Sequence, residues 1–244
     1  MQKKYSDFPK LFLLVLFLLT ACGHPTGLVF EEHAIRTMDW EGESLTFTPV
    51  QGSREAILAK NEAERDKPAP IFTLPVSLEK DELDVAENYQ GSQVSVDVTR
   101  NGEPALTIEA GVISPINNFR GLLVVDGHWF LEVAHVEEDP NDPNAAFIIW
   151  GEVFKDGESL NQQFGYDEAF NFQILGDKPF YFIKKGDQMG YGYDGVETWL
   201  PYTHIPHYLC CSASAFNPLA SENMVSFFAE KSDSKFYIEL GLFE

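Results

Sequence analysis

The sequence lacks a hydrophobic run long enough to cross a membrane as a helix. Its N-terminal apolar stretch, Leu11 to Leu19, has nine residues and follows a basic segment that contains Lys3, Lys4 and Lys10. A helix rises about 1.5 Å per residue and a bilayer core is about 30 Å thick, so nine residues cannot span it. A short apolar run behind a basic segment is typical of a signal peptide.

Positive charge is also scarce. The chain has 17 lysine and arginine residues against 38 aspartate and glutamate residues, for a formal net charge of −21 at pH 7. Such a chain repels the phosphates of nucleic acids, which excludes nucleic acid as a partner. The apolar fraction of 44%, with 14% aromatic residues, is nevertheless sufficient for a substantial core and excludes a disordered chain.

Familiar catalytic motifs are missing as well. The sequence contains no H-E-x-x-H, G-x-S-x-G or P-loop pattern. This favours a binding or scaffold module over an enzyme. Two alternatives stay open: an extracytoplasmic hydrolase that uses a carboxylate pair, either Asp167 with Glu168 or Asp194 with Glu197, and a metal or redox protein.

The residues that follow the apolar run carry a family resemblance. Leu19-Thr20-Ala21-Cys22 resembles the lipobox of bacterial lipoproteins and matches it at all four positions. The resemblance implies that residues 1–21 are removed and that the Cys22 sulfur carries a diacylglyceryl group, with acyl chains such as palmitate. The partner is then the membrane, and the protein lies in the cell envelope outside the cytoplasm. Gly23, in place of the family's inner-membrane Asp, favours the outer membrane in an organism with two.

Three segments of different character follow Cys22. Residues 22–27 form a short tether, residues 28–93 are mixed, and residues 94–244 read as β-hairpins, so that 28–244 is expected to form one domain. Within the mixed segment, Trp40-Glu41-Gly42 indicates a hairpin, and residues 53–66 predict a helix with Ser53 as N-cap and Pro68 beyond its end. The acidic residues 79–90 favour an exposed connection or a short helix.

Alternating apolar residues and tight-turn dipeptides predict a mainly β fold. Asn-Gly and Asp-Gly suit two-residue hairpin turns because these turns need positive φ. The predicted turns are at Asn101-Gly102, Asp126-Gly127, Asp156-Gly157, Asp194-Gly195, Gly176-Asp177 and Ser232-Asp233.

A strand-turn-aromatic unit recurs around three turn aspartates, Asp126, Asp177 and Asp233, which are separated by 51 and 56 residues. Four strands in about fifty residues is the spacing of propeller blades, so a propeller-like hairpin meander is predicted, with a β-sandwich as the alternative. The last unit holds only two strands, and N-terminal strands would complete it.

Residues 184–205 resemble a WG repeat, a short hairpin of the form G-x-W-G-y-I-D-x-x-G-x-x-x-x-P-x-Y. Gly190, Tyr191, Asp194 and Gly195 lie near matching positions, as do Pro201 and Tyr202, whereas Met189 stands where the family has tryptophan. The resemblance implies a β interaction module.

The chain has only three cysteines, and two of them are adjacent in His204-x2-His207-x2-Cys210-Cys211. These four residues would suit zinc or copper, but the close spacing, Pro206 and an oxidising compartment argue against a metal site. The alternatives are a strained disulfide between Cys210 and Cys211 and a pair of buried thiols. The favoured interpretation is a structural loop with exposed imidazoles, in which a His204→Ala, His207→Ala variant loses little stability.

Two further groups are candidates for binding. The acidic loop 137–144 has oxygen ligands for calcium but lacks the EF-hand pattern, so the sequence predicts no definite cofactor. Mixed aromatic and acidic residues would form a surface for a carbohydrate or a protein: Tyr166, Asp167, Glu168, Tyr191, Tyr193, Trp199 and Tyr202. His128 and His135 are seven residues apart on one strand and are expected to face opposite sides.

Overall fold

The computed structural model describes residues 26–41, 44–140, 147–208 and 217–243. Strands predominate in these ranges, which confirms the predicted mainly β class. The strands form three sheets of five, eight and four strands. No helix in the described ranges is long and apolar enough to cross a membrane.

The five-stranded sheet joins the two ends of the chain. Its strands are β1 (Val29–Glu41), β2 (Ser44–Pro49), β15 (Leu219–Ala220), β16 (Met224–Lys231) and β17 (Ser234–Gly241), in the order β15-β16-β17-β1-β2. The antiparallel pairing of β1 with β17 shows that N-terminal strands complete the last hairpin unit, as the sequence suggested. The pairing of Glu41 with Ser44 confirms the hairpin expected near Trp40.

The eight-stranded sheet curls into a half-barrel. Its strands are β3 (Val76–Leu78), β4 (Asp81–Gln90), β5 (Gln93–Arg100), β6 (Glu103–Val112), β7 (Phe119–Val125), β8 (His128–Glu138), β9 (Phe147–Lys155) and β10 (Glu158–Ser159). The order is β10-β9-β8-β6-β5-β4-β3, and β7 also pairs with β8. A single parallel pair, Gly111 with Val136, joins β6 to β8, so the hairpins β4-β5-β6 and β7-β8-β9 meet at one narrow seam.

The four-stranded sheet is a simple antiparallel meander. It consists of β11 (Glu168–Leu175), β12 (Lys178–Lys185), β13 (Gln188–Tyr193) and β14 (Val196–Trp199). Three unequal sheets, one of them with a parallel pair, do not confirm the propeller-like arrangement, which expects repeated blades of four strands.

The dipeptide turns lie where the sequence predicts them. Both central residues have positive φ at Asn101-Gly102 and at the three Asp-Gly turns, 126–127, 156–157 and 194–195. The Gly176-Asp177 and Ser232-Asp233 turns have positive φ at their first residue. Short-range turn chemistry therefore determines most of the hairpin connections.

The predicted N-terminal helix is present in two pieces, α1 (Arg54–Lys60) and α2 (Glu62–Arg65), and a third helix, α3 (Leu160–Phe164), follows β10. The Ser53 hydroxyl accepts a hydrogen bond from the Ala56 amide, which confirms Ser53 as the N-cap.

The expectation for residues 79–90 is wrong. Residues 81–90 form β4, in which Leu83 and Val85 are buried while their acidic neighbours Glu82 and Asp84 are exposed. Because one face of this strand meets the half-barrel interior and the other meets solvent, its many acidic residues are compatible with a strand.

Two large apolar cores hold the molecule together. One fills the half-barrel, where Val96, Leu122 and Leu131 are buried. The other packs the meander against the five-stranded sheet, with the rings of Phe182 and Phe227 4.9 Å apart. Burial of one such aromatic side chain contributes about 1.5–3 kcal/mol. Both packed strands, β12 and β16, are buried on two faces, which explains their continuous apolar sequences.

Candidate functional site

An open groove of about 530 Å³ lies beside β8 and β9. His135 on β8 and Trp150 on β9 are directly opposite each other in the antiparallel register. Their rings stack 3.9 Å apart with an angle of 8° between the planes. The cross-strand register therefore places a flat aromatic pair on one wall of the groove.

Glu152 fixes the position of the histidine in this pair. The His135 Nε2 donates to the Glu152 Oε2 at 2.8 Å, and the Ser159 hydroxyl donates to the Glu152 Oε1. Burial works most strongly to raise the pKa of Glu152, but these hydrogen bonds outweigh it and the net pKa is lowered. Glu152 thus remains a carboxylate at neutral pH.

The opposite rim comes from α3 and the segment before β11. The Ser159 side chain accepts from the Gln162 amide and so begins α3, and Gly165 ends the helix with φ of 68°. The next two residues, Tyr166 and Asp167, line the groove. Burial, followed by a hydrogen bond from the Tyr166 hydroxyl to Glu197, raises the pKa of Tyr166, so this hydroxyl stays protonated.

The groove is acidic. Among the described residues, its lining contains four carboxylates and no lysine or arginine, and it consists of Glu109, His135, Glu137, Trp150, Glu152, Asn161, Gln162, Tyr166 and Asp167. Carboxylate and amide oxygens accept hydrogen bonds from hydroxyl or ammonium groups, and an aromatic face contacts an apolar surface. The arrangement is suited to a ligand that combines the two.

The same groups do not form a nucleophilic triad. In that arrangement a histidine takes the proton of the serine hydroxyl. Here the Ser159 hydroxyl donates to Glu152 and also caps α3, and His135 contacts the same carboxylate from its other side. Among the described residues no histidine accepts from the Ser159 hydroxyl, so these three side chains do not have the serine-to-histidine contact of a triad.

The structure divides the predicted aromatic and acidic surface. Tyr166 and Asp167 lie in the groove, whereas Trp199 packs partly buried against the core beside Tyr166. Tyr191, Tyr193 and Tyr202 are buried in the core between the sheets. The prediction that these three tyrosines line a ligand surface is therefore wrong, because they belong to the core that packs on the five-stranded sheet.

Neither proposed carboxylate pair converges on one point. Asp167 accepts from the Gly186 amide, while Glu168 accepts from the Gly151 amide and from His207. Consecutive strand residues point to opposite faces, which explains the separation. Asp194 lies in the turn between β13 and β14, whereas Glu197, which is on β14, accepts a hydrogen bond from the Tyr166 hydroxyl.

The segment that holds the two histidines is anchored to the protein interior. His204 is exposed, but His207 is mostly buried, stacks on Phe170 at 3.6 Å and contacts Glu168 Oε1 through Nε2 at 2.8 Å. The expectation of two exposed imidazoles is therefore wrong for His207. Tyr208 is buried as well, and its hydroxyl donates to Glu132.

Several predictions lie outside the described residues. These include Cys22, both vicinal cysteines Cys210 and Cys211, and residues 141–146 of the acidic loop. His128 and His135 have different partners, Asp156 and Glu152, as expected for opposite faces of β8.

Sequence reasoning missed the central residues of the groove. His135, Trp150 and Glu152 come together through the β8-β9 register, in which His135 pairs with Trp150 and Val133 with Glu152. The acidic loop between the strands hides this register from sequence inspection. The available signal was the pair of apolar strands on either side of that loop.

Comparison with known proteins adds no family: no family model matches the chain, and no curated protein matches it.

Proposed function

We propose that this chain is a lipid-anchored binding module outside the cytoplasm and that the acidic groove beside β8 and β9 is its ligand site. The stacked pair of His135 and Trp150, with Glu152 fixing the histidine, is the observation that carries the proposal. A rigid aromatic wall surrounded by acceptor oxygens is the form of a recognition site.

The proposed anchor rests on the sequence of residues 1–22. The basic segment, the short apolar run and the match at Leu19 to Cys22 are in register, as in bacterial lipoproteins. A Cys22→Ser variant is expected to lose lipid labelling and to leave the detergent phase. Membrane retention unchanged in that variant would contradict the anchor.

The groove suits a sugar that carries amino groups. The face of a sugar ring packs on an aromatic side chain, and its hydroxyl groups donate to carboxylate and amide oxygens. Ammonium groups would gain further from the acidic lining. The proposed ligand class is therefore a glycan, with an amino sugar favoured over a neutral one.

Two matched probes test this proposal. Chito-oligosaccharides with free amino groups and the same oligosaccharides in N-acetylated form have the same ring faces and differ in charge. Calorimetry with the full chain in detergent is expected to show binding of the amino form and weaker binding of the acetylated form. A Trp150→Ala variant is expected to bind the amino form roughly tenfold less tightly or worse.

Tyr89→Ala is the control because Tyr89 is an exposed aromatic residue on β4 that does not line the groove. It is expected to bind as the parent does. Binding that survives in Trp150→Ala, or a failure of both probes to bind, would contradict the groove as a glycan site.

A further inference from the structure

A second cluster of ligating side chains lies at the junction of the first and last long strands. Glu31 and His33 project from the same face of β1, and Glu239 on β17 is directly opposite Glu31. Like charges directly opposite each other on neighbouring strands are destabilising. The pair of Glu31 and Glu239 therefore requires compensation by cations.

The two N-terminal helices supply part of this compensation. Lys60 pairs with the Glu31 Oε1, and Arg65 pairs with the Glu239 Oε1. The Asn61 side chain donates to the Glu239 Oε2 at 2.8 Å. These contacts hold both carboxylates in fixed orientations, with the second oxygen of each directed toward His33.

His33 is directed into the space between these two oxygens. Its Nε2 is 3.9 Å from the Glu239 Oε2 and 4.0 Å from the Glu31 Oε2, which is too far for hydrogen bonds. This nitrogen atom is buried and has no hydrogen-bond partner among the described residues. The ligand atoms of the three residues lie within 4.8 Å of one another.

We propose that Glu31, His33 and Glu239 bind a zinc ion. One imidazole and two carboxylates are ligands that zinc accepts, with bonds of about 2.0–2.2 Å. Ligand atoms around a tetrahedral zinc ion lie about 3.4 Å apart, so the distances of 3.9 and 4.0 Å from the His33 nitrogen to the two oxygens would each need to shorten by about 0.5 Å, and water would complete the four-coordinate geometry. Lys60, Asn61 and Arg65 act as the outer partners that orient the ligands.

The proposed ion would join β1 to β17. It would act close to the N-terminal tether and at the seam that closes the five-stranded sheet. A ligand that binds only the folded chain stabilises it in proportion to the logarithm of its concentration, so zinc should raise the unfolding temperature. This role is separate from ligand binding in the groove.

Zinc titration of the full chain in detergent tests the proposal. Calorimetry is expected to show one equivalent of zinc bound, and thermal unfolding is expected to shift upward with zinc concentration. His33→Ala should weaken zinc binding roughly tenfold or more and abolish the shift. The matched control is His128→Ala, because His128 pairs with the single carboxylate of Asp156 on another sheet.

A second variant distinguishes loss of the zinc site from misfolding of the chain. Substitution of Glu239 would also remove the contacts of Arg65 and Asn61, so Glu31→Gln is used instead. It should weaken zinc binding while the circular dichroism spectrum stays that of the parent. Absence of zinc binding by the parent, or zinc binding unchanged in both His33→Ala and Glu31→Gln, would overturn the proposal.

Discussion

Two histidine-glutamate pairs in different parts of the molecule are nearly identical in local geometry. His135 with Glu152 and His207 with Glu168 each have a nitrogen-oxygen distance of 2.8 Å. Both histidine side chains are 11% exposed, and both rings stack on an aromatic neighbour, Trp150 in one pair and Phe170 in the other. Local geometry alone does not distinguish the two pairs.

Their surroundings do distinguish them. The Glu168 carboxylate accepts from the Gly151 backbone amide, and the His207 Nδ1 donates to the Ile205 carbonyl. Nearby, Glu132 accepts from the amides of Asn171 and Phe172. His207 and Glu168 are thus part of a network that joins the half-barrel, the meander and the segment 203–208.

His135 and Glu152 line the groove instead. Glu152 has a serine hydroxyl as its second partner, and the nearby lining is acidic. Under the proposed function, the contacts of the remaining atoms of each pair decide whether the pair is structural or ligand-binding.

The largest expected effect comes from removal of Glu132. The Asn171 residue has φ of 53°, and the β11-β12 register shifts between Phe170 and Gln173, so the amides at this bulge turn toward Glu132 rather than toward β12. Glu132→Ala would leave these amides and the Tyr208 hydroxyl without an acceptor. We expect a loss of about 3 kcal/mol or more in the free energy of unfolding, measured by urea denaturation.

Glu137→Gln provides the control on the same strand, because Glu137 is exposed at the groove rim. The free energy of unfolding of the Glu137→Gln variant should fall by less than about 0.5 kcal/mol. A Glu132→Ala variant as stable as this control would show that the hydrogen bonds to Glu132 contribute little.

The next effect separates the two histidines of the segment 203–208. His207→Ala removes the stack on Phe170 and a partner of buried Glu168, so we expect the free energy of unfolding to fall by about 2 kcal/mol. His204→Ala should lose less than about 0.5 kcal/mol because this side chain is exposed. Equal losses in the two variants would contradict the structural role assigned to His207.

A smaller effect is expected for Ser159→Ala. This change removes the N-cap of α3 and one hydrogen bond to Glu152, which together should cost about 1 kcal/mol in thermal or urea unfolding. Ser159→Asp keeps a capping oxygen but places a second carboxylate beside Glu152. It should be less stable than Ser159→Ala, and greater stability would show that capping outweighs the repulsion between the two carboxylates.

The smallest effect is a pH dependence at the pair of His135 and Glu152. The folded pKa of Glu152 lies below its ordinary value of 4.5, so its contribution to stability is present above that pH. The contribution is lost as the pH falls through the lower, folded pKa. Urea unfolding between pH 6 and about pH 3 should show a shallower decline for Glu152→Gln than for the parent, whereas identical slopes would contradict the assignment.

Local chemistry determines the parts of the fold that the sequence predicts correctly. Asn101-Gly102 and Asp126-Gly127 specify their turns within two residues, and Ser53 specifies the start of α1. The acidic strand β4 was missed because composition alone does not reveal which face of a segment meets a core.

The candidate site depends on how strands that are distant in the sequence pair with each other, and inspection of the sequence does not reveal this register. Alternation indicates that Tyr191 and Tyr193 share a face, but not that this face packs on the five-stranded sheet. His135 and Trp150 meet only because β8 and β9 pair in one particular register across the intervening loop.

The binding isotherm of two matched variants tests the central claim most directly. His135→Gln and His207→Gln each replace one histidine of the two similar pairs and keep a side chain that can donate to the glutamate. With the amino form of the chito-oligosaccharide, the account predicts that His135→Gln loses most of the affinity and that His207→Gln binds as the parent does below its unfolding temperature. Equal affinities in the two variants, or a loss confined to His207→Gln, would contradict the division into a ligand-binding side and a structural side.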